Sequence, residues 1–316
     1  MNLSQLRGCG TALVTPFQQD KSLDEPALRR LVQRQISGRI DFVLPCGTTG
    51  ESPSLSAQDH FRVVEIAVEE AGGKVPVLAG AGGNNTEHVR EQMRSLERLK
   101  VDGFLSVSPY YNKPTQEGIY QHFRSLAEST SRPILIYNVP GRTGSNIEPR
   151  TLLRLSEIPN ILGVKEASGN VGQIDEVLRL VPERFKVFSG DDGLTLPLMA
   201  LGACGLISVV SNVVPREMTE FVSLCLAGDF IAARRVHRQL APLMQALFYE
   251  TNPIPVKAAL AAMGLIQPVY RLPLVPLQPA NQTKLESVLA ELGLLTAKDA
   301  AKEKEYVPGR APSRAH

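Results

Sequence analysis

The sequence predicts an α/β chain: a (β/α)8 barrel followed by a C-terminal helical region. Three observations predict it. Eight short apolar runs recur at intervals of about 20–35 residues. Helix-period patterns lie between most of them. Polar motifs stand immediately after many different runs. In a closed barrel all strand ends converge on one mouth, where such motifs meet. In an open doubly wound sheet, the alternative architecture, they would be spread along an edge and out of reach of one another.

The runs lie at residues 11–14, 41–44, 75–78, 103–107, 134–137, 161–164, 186–188 and 205–210. After the first, residues 24–37 carry Leu28, Leu31, Val32 and Ile36 at helical spacing. After the second, Ser56 opens a helix with Asp59 three residues on, an acidic variant of a capping box, followed by Phe61, Val64 and Val68. Thr86 opens the next, with Val89, Met93 and Leu96, and residues 116–129 and 172–180 repeat the pattern. Residues 193–215 carry no charge and are long enough to span a bilayer. Pro197, Gly202, Gly205, Ser208, Ser211 and Asn212 interrupt them, so they read as a buried helix followed by a buried strand. The barrel is expected over residues 1–214. Residues 215–295 read as the helical region, with helices at 216–227, 230–249 and 283–295 and a Pro-rich loop at 271–279. The small, charged, Pro- and Gly-bearing tail, 296–316, reads as flexible.

Composition removes several function classes. With 316 residues, 43% hydrophobic and 21% charged, the chain is ordinary globular protein. A net charge of +2 without basic blocks gives no footprint for nucleic acid. Cys9, Cys46, Cys204 and Cys225 form no CxxC pair and read as free thiols of a reducing compartment. No charged segment followed by an apolar one opens the chain, so a cytoplasmic location is expected and no membrane partner. The histidines His60, His88, His122, His237 and His316 show no ligand spacing, and none lies near Asp191-Asp192 in sequence, so no metal is expected.

The strand ends carry the chemistry. At the sixth stands Lys165, an ammonium set into the apolar run Ile161-Leu162-Gly163-Val164-Lys165-Glu166. A lysine held partly neutral by burial is a nucleophile that forms Schiff bases with carbonyl compounds. The competing reading is an ion pair with Glu166, which a regular strand places on the opposite face. After the second strand, Gly47-Thr48-Thr49-Gly50 gathers two hydroxyls and backbone N–H groups suited to a small carboxylate. No Gly-Lys-Ser/Thr follows, so it is not a nucleotide phosphate loop, and residues 80–85 lack the third glycine of a dinucleotide fingerprint. Tyr110, Tyr111 and Tyr137 lie at strand ends, where a phenol can relay protons with a hydroxyl. Arg142, in the Gly/Thr loop after Tyr137, offers a planar fork for a carboxylate. An amine nucleophile, a hydroxyl–phenol relay, an anion-holding turn and a carboxylate clamp suit aldol chemistry on a 2-oxo acid through an imine, with no cofactor.

Six segments carry a family resemblance over about residues 7–295: Gly10-Thr11-Ala12-Leu13-Val14-Thr15-Pro16-Phe17, Gly47-Thr48-Thr49-Gly50-Glu51-Ser52, Pro109-Tyr110-Tyr111-Asn112-Lys113-Pro114, Tyr137-Asn138-Val139-Pro140-Gly141-Arg142-Thr143-Gly144, Gly163-Val164-Lys165-Glu166-Ala167-Ser168 and Asn252-Pro253-Ile254-Pro255-Val256-Lys257. By them the chain resembles the dihydrodipicolinate synthases, in the superfamily that also holds N-acetylneuraminate lyase. The resemblance implies condensation of pyruvate with L-aspartate 4-semialdehyde, a step of lysine and diaminopimelate biosynthesis. It implies that Lys165 forms the Schiff base with pyruvate. Thr48, Tyr137 and Tyr111 match the proton relay, with Tyr111 inserted from a neighbouring subunit. Thr49 matches the pyruvate carboxylate site, Arg142 the residue that receives the semialdehyde's carboxylate, and Gly190 and Ile207 backbone contacts near substrate. It also implies a homotetramer, a dimer of dimers. Ser52, His60, Asn84 and Tyr110 match a pocket that takes inhibitory lysine. Ala57 departs from that pocket's usual histidine and His88 from its usual glutamate, so weak or absent feedback inhibition is expected. Two rivals stay open at this point: another pyruvate-dependent class I aldolase or lyase of the superfamily, and a non-catalytic barrel that binds 2-oxo acids.

Overall fold

The computed structural model describes residues 3–295; the tail at 296–316 lies outside them. Eight parallel strands are β1 (Gly8–Ala12), β2 (Phe42–Leu44), β3 (Leu78–Gly80), β4 (Gly103–Val107), β5 (Ile134–Asn138), β6 (Ile161–Glu166), β7 (Lys186–Ser189) and β8 (Gly205–Ser208). They pair in the order β2-β1-β8-β7-β6-β5-β4-β3. A parallel bridge from Val43 to Val77 joins the two ends, so the sheet closes into a (β/α)8 barrel.

Alternation along each strand separates two apolar layers. Phe42, Leu44, Leu78, Leu105, Leu135, Leu162, Phe188 and Ile207 fill the barrel interior. Val43, Ala79, Phe104, Ile134, Ile136, Val164 and Leu206 face the surrounding helices. Two strands are displaced from the apolar runs. β3 begins at Leu78 rather than 75, because Pro76 has no N–H to give a ladder. β1 begins at Gly8: Gly8-Cys9-Gly10 lacks an apolar signature yet pairs in register with Gly205, Leu206 and Ile207 of β8.

The outer helices are α1 (Glu25–Ser37), α2 (Ala57–Ala71), α3 (Thr86–Glu97), α4 (Gln116–Glu128), α5 (Pro140–Thr143), α6 (Pro149–Ser156), α7 (Val171–Leu180) and α8 (Thr195–Ala200). Polar side-chain caps set the starts of α1, α2, α3, α4 and α7. The Ser56 hydroxyl accepts from Asp59 N at 3.0 Å, while the Asp59 carboxylate pairs with Arg271 at 2.8 Å. Asn85 caps α3, and the Thr86 hydroxyl lies 2.8 Å from His122 Nδ1. The C-terminal helices are α9 (Pro215–Leu226), α10 (Phe230–Ala246), α11 (Ile254–Ala262) and α12 (Pro279–Glu291). α12 starts four residues earlier than its pattern because Pro279 takes the first helical position. α11 has no counterpart in the sequence reading. Ile254 to Leu260 are all buried, so it shows no polar stripe for a periodicity to reveal. Leu240, Leu243, Ile254 and Leu285 share one apolar cluster with the outward face of the barrel.

Candidate active site

Lys165 owes its direction to an irregularity in β6. Ile161 pairs with Ile134, but Gly163 pairs with the next residue, Leu135, so Leu162 is extra. A bulge of this kind shifts every later side chain by one face. Ile161 faces the helices and Leu162 the interior; beyond the bulge Val164 faces the helices and Lys165 the interior. Glycine is required at the bulge, because a Cβ on Gly163 would meet Lys186 O at 1.9 Å. Glu166 consequently points away from Lys165. It accepts from Asn138 Nδ2 at 3.0 Å and from Ser168 N at 2.8 Å. The Lys165–Glu166 ion pair therefore does not form.

Tyr137 is the direct neighbour of Lys165 across the β5–β6 ladder. The ammonium lies 4.3 Å from the Tyr137 ring centroid. The Thr48 side chain is close enough to the phenol to lower its pKa. Thr48, Tyr137 and Arg142 line one cavity of about 380 Å³ at the C-terminal strand ends, together with Tyr110 and Ser52. Arg142 also donates from Nη2 to Asn252 O at 3.3 Å. The Thr49 hydroxyl turns away to accept from Asn252 Nδ2 at 2.9 Å. Among the described residues no protein acceptor takes the N–H of Thr48 or Thr49. The turn is bracketed by Cys46 at φ 58° and Glu51 at φ 56°, left-handed conformations that non-glycine residues adopt at roughly 1–3 kcal/mol each.

Burial sets the charge state of the site. Lys165 is 5% exposed, and desolvation brings its pKa down to about 8; the Arg142 charge acts in the same direction. The Asp192 carboxylate opposes the shift, and burial wins. Asp192 is itself pushed up to about 6 by burial, although it accepts from the Ser208 hydroxyl and from Val209 N at 3.0 Å. Burial also raises the Tyr137 phenol, with Arg142 and Thr48 working the other way. Gly190 lies against Lys165: a Cβ there would be 3.0 Å from Lys165 Cε and 2.8 Å from Ala167 Cβ. Ile207 is fully buried in the barrel interior. Tyr111 stands apart, 88% exposed, and does not line the cavity of its own subunit. Among the described residues no group of three His, Cys, Asp or Glu side chains has the geometry to hold a metal ion.

The model of the dihydrodipicolinate synthetase family matches residues 5–292. The chain belongs to that family. A 4-hydroxy-tetrahydrodipicolinate synthase of Koribacter versatilis (strain Ellin345) is 54% identical over 292 residues, 92% of this chain and 97% of the relative. The crystal structure of dihydrodipicolinate synthase from Aquifex aeolicus superposes with a TM-score of 0.90 at 44% identity, covering 92% of this chain and 100% of that one. DHDPS from Cyanidioschyzon merolae with lysine bound gives a TM-score of 0.88 at 38% identity, covering 92% of this chain and 99% of that one.

In this dihydrodipicolinate synthetase family member a second cavity, of about 470 Å³, adjoins the first. His60, Asn84 and Tyr110 line it, as do Ala57 and His88, whereas Ser52 lines the first cavity. Tyr110 and Gln92 line both. His60 is buried with Nε2 2.8 Å from Gly80 O, and desolvation lowers its pKa. Glu91 also lines this cavity, a carboxylate the sequence reading did not weigh. Sequence reasoning also left Asn252 without a role, although it opens a quoted motif, and treated Asp192 only as a metal ligand. Neither signal specifies its partner, because both partners are distant in sequence. No helix among the described residues is long and apolar enough to cross a membrane.

Proposed function

We propose that the chain condenses pyruvate with L-aspartate 4-semialdehyde through a Schiff base on Lys165, the reaction of a 4-hydroxy-tetrahydrodipicolinate synthase. The observation that carries it is Lys165 itself, a lysine brought to a pKa of about 8 by burial against the Tyr137 ring at the barrel mouth. At pH 7.4 about one molecule in five then holds a neutral amine, against about one in a thousand for an ordinary lysine. The amine attacks C2 of pyruvate, whose carboxylate lies against the free N–H groups of Thr48 and Thr49. Tyr137 and Thr48 hand protons to the departing hydroxyl, which leaves as water. Loss of a C3 proton converts the imine to an enamine. Its C3 attacks the aldehyde carbon, whose oxygen takes a proton and becomes a hydroxyl. The amine of the second substrate then adds to C2 and expels Lys165 as the ring closes. One water leaves overall. Arg142, at the rim of the cavity, receives the second substrate's carboxylate. Asp192 stabilises the cationic form of Lys165 and opposes its depressed pKa.

Tyr111 completes the relay from a neighbouring subunit in a homotetramer; its 88% exposure and its position outside its own cavity support that reading. The second cavity is the site for lysine, with weak or absent inhibition because Ala57 and His88 replace the usual histidine and glutamate. An inhibition constant in the low micromolar range would overturn this and point to Glu91 as the substitute anion. Borohydride treatment with pyruvate, followed by peptide mass mapping, tests the central step. Modification of Lys165 and turnover with the semialdehyde are expected. An unmodified Lys165 refutes the proposal.

A further inference from the structure

Behind the Gly47–Gly50 turn, on the side away from the cavity, Glu51 and Lys257 form an ion pair with both side chains 0% exposed. Lys257 belongs to α11, and no residue of that helix lines the cavity containing Thr48 and Tyr137. The ammonium donates to Glu51 Oε1 and sits over two rings, 4.3 Å from the Phe17 centroid and 5.1 Å from that of Tyr270. Glu51 Oε2 has no hydrogen-bond partner among the described residues.

Stability alone does not account for such a pair. Desolvating two charges offsets most of their attraction, and well-packed apolar residues of similar size generally serve as well. What the pair does specify is the position of the turn. Glu51 is held in a left-handed conformation at its end. Five residues before Lys257, Asn252 reaches the same turn. Its Nδ2 donates to the Thr49 hydroxyl at 2.9 Å, while its carbonyl accepts from Arg142 at 3.3 Å. Asn252 is itself buried, and its Oδ1 has no partner among the described residues. Asn252 and α11 thus hold the anion-holding turn at Thr49 and at Glu51, two residues on, and Asn252 touches the carboxylate clamp as well.

We propose that the Glu51–Lys257 pair and Asn252 form a strut from α11 that positions the Thr48–Thr49 turn to receive the carboxylate of a 2-oxo acid. These are positioning residues; none of them touches the reacting atoms. The strut rests on the function proposed above. A turn held in this way contributes equally to ground-state and transition-state binding of the carboxylate. Its loss raises KM and leaves kcat nearly unchanged.

The test measures KM and kcat for pyruvate, and the pyruvate concentration giving half-maximal borohydride trapping, in parent, Glu51→Gln/Lys257→Met and Asn252→Ala proteins. The double variant removes both buried charges together. It is expected to unfold within a few degrees of the parent, because no charge is left unpaired. Its KM for pyruvate and its half-trapping concentration are expected to rise about tenfold, with kcat within about threefold of the parent. Asn252→Ala is expected to show the same split. Parent-like KM in a folded double variant, or a loss confined to kcat, overturns the strut while the function stands. If the double variant does not fold, Asn252→Ala decides, and an unchanged KM there overturns the strut. A parent protein that captures no pyruvate overturns both proposals.

Discussion

At Lys165 the amine proposed as the nucleophile also destabilises the fold. The folded-state pKa lies near 8 against an ordinary 10.5, so between those values the unfolded chain binds more protons than the folded one. Below pH 8 the full penalty of burying the cation is present, about 3 kcal/mol, and it fades as the pH rises towards 10.5. Lys165→Met is therefore expected to abolish Schiff-base trapping and to raise stability at pH 7, a gain that shrinks towards zero by pH 10.5; urea unfolding at several pH values measures it. The same titration should appear as an ascending limb near pH 8 in kcat/KM for pyruvate, since that ratio reports the free enzyme. Tyr137→Phe keeps the ring beside the ammonium and removes only the proton carrier. It is expected to lose about 10²–10³-fold in kcat while still being trapped by borohydride. Lys165→Ala retaining near-parent turnover would remove the lysine from the mechanism.

Among the elements, β6 decides the most with the least. Its single extra residue turns Lys165 inward, and Gly163 makes room for that residue. Gly163→Ala brings a methyl group against Lys186 O, a contact of 1.9 Å that backbone has to yield to. The expected result is a destabilisation on the order of 3 kcal/mol together with a loss of trapping, because a register change moves Lys165 as well. Thermal unfolding and trapping read on the same sample check that the two effects travel together. Loss of a helix cap behaves differently. Asn85→Ala removes the acceptor for Glu87 N and His88 N and is expected to weaken the fold by about 1 kcal/mol in urea unfolding, with pyruvate trapping unchanged.

For the whole molecule, the 88% exposure of Tyr111 is the basis for the proposal that a neighbouring subunit completes the site. In a two-fold pair each subunit would lend its Tyr111 to the other. Tyr111→Phe and Tyr137→Phe subunits are each expected to be impaired alone. Mixed assemblies regain one intact site per mixed pair, about a quarter of parent activity for random pairing. No recovery in co-refolded mixtures would return Tyr111 to its own subunit.

Much of this was legible in the residues. The barrel followed from periodicity, because burial on both faces leaves apolar runs and amphipathic helices between them. The position of Lys165 was legible because an ammonium inside such a run must be paired, exposed at the strand end or held partly neutral. Other features left no local trace. α11 is buried from Ile254 to Leu260, so no alternation of polar and apolar faces marks it. The β6 bulge is one residue in a run that reads equally well as a regular strand. Asn252 and Lys257 find Thr49 and Glu51 about 200 residues away, at separations of 203 and 206. The sequence by itself determined the alternating α/β pattern and placed a lysine, two threonines and a tyrosine at strand ends, the groups that the proposed chemistry uses. Only the tertiary structure decided which way Lys165 faces, how far burial lowers its pKa, and which distant side chains hold the turn beside it. Direction, desolvation and long-range contact arise only when the strands close around one axis, and no short stretch of sequence encodes them.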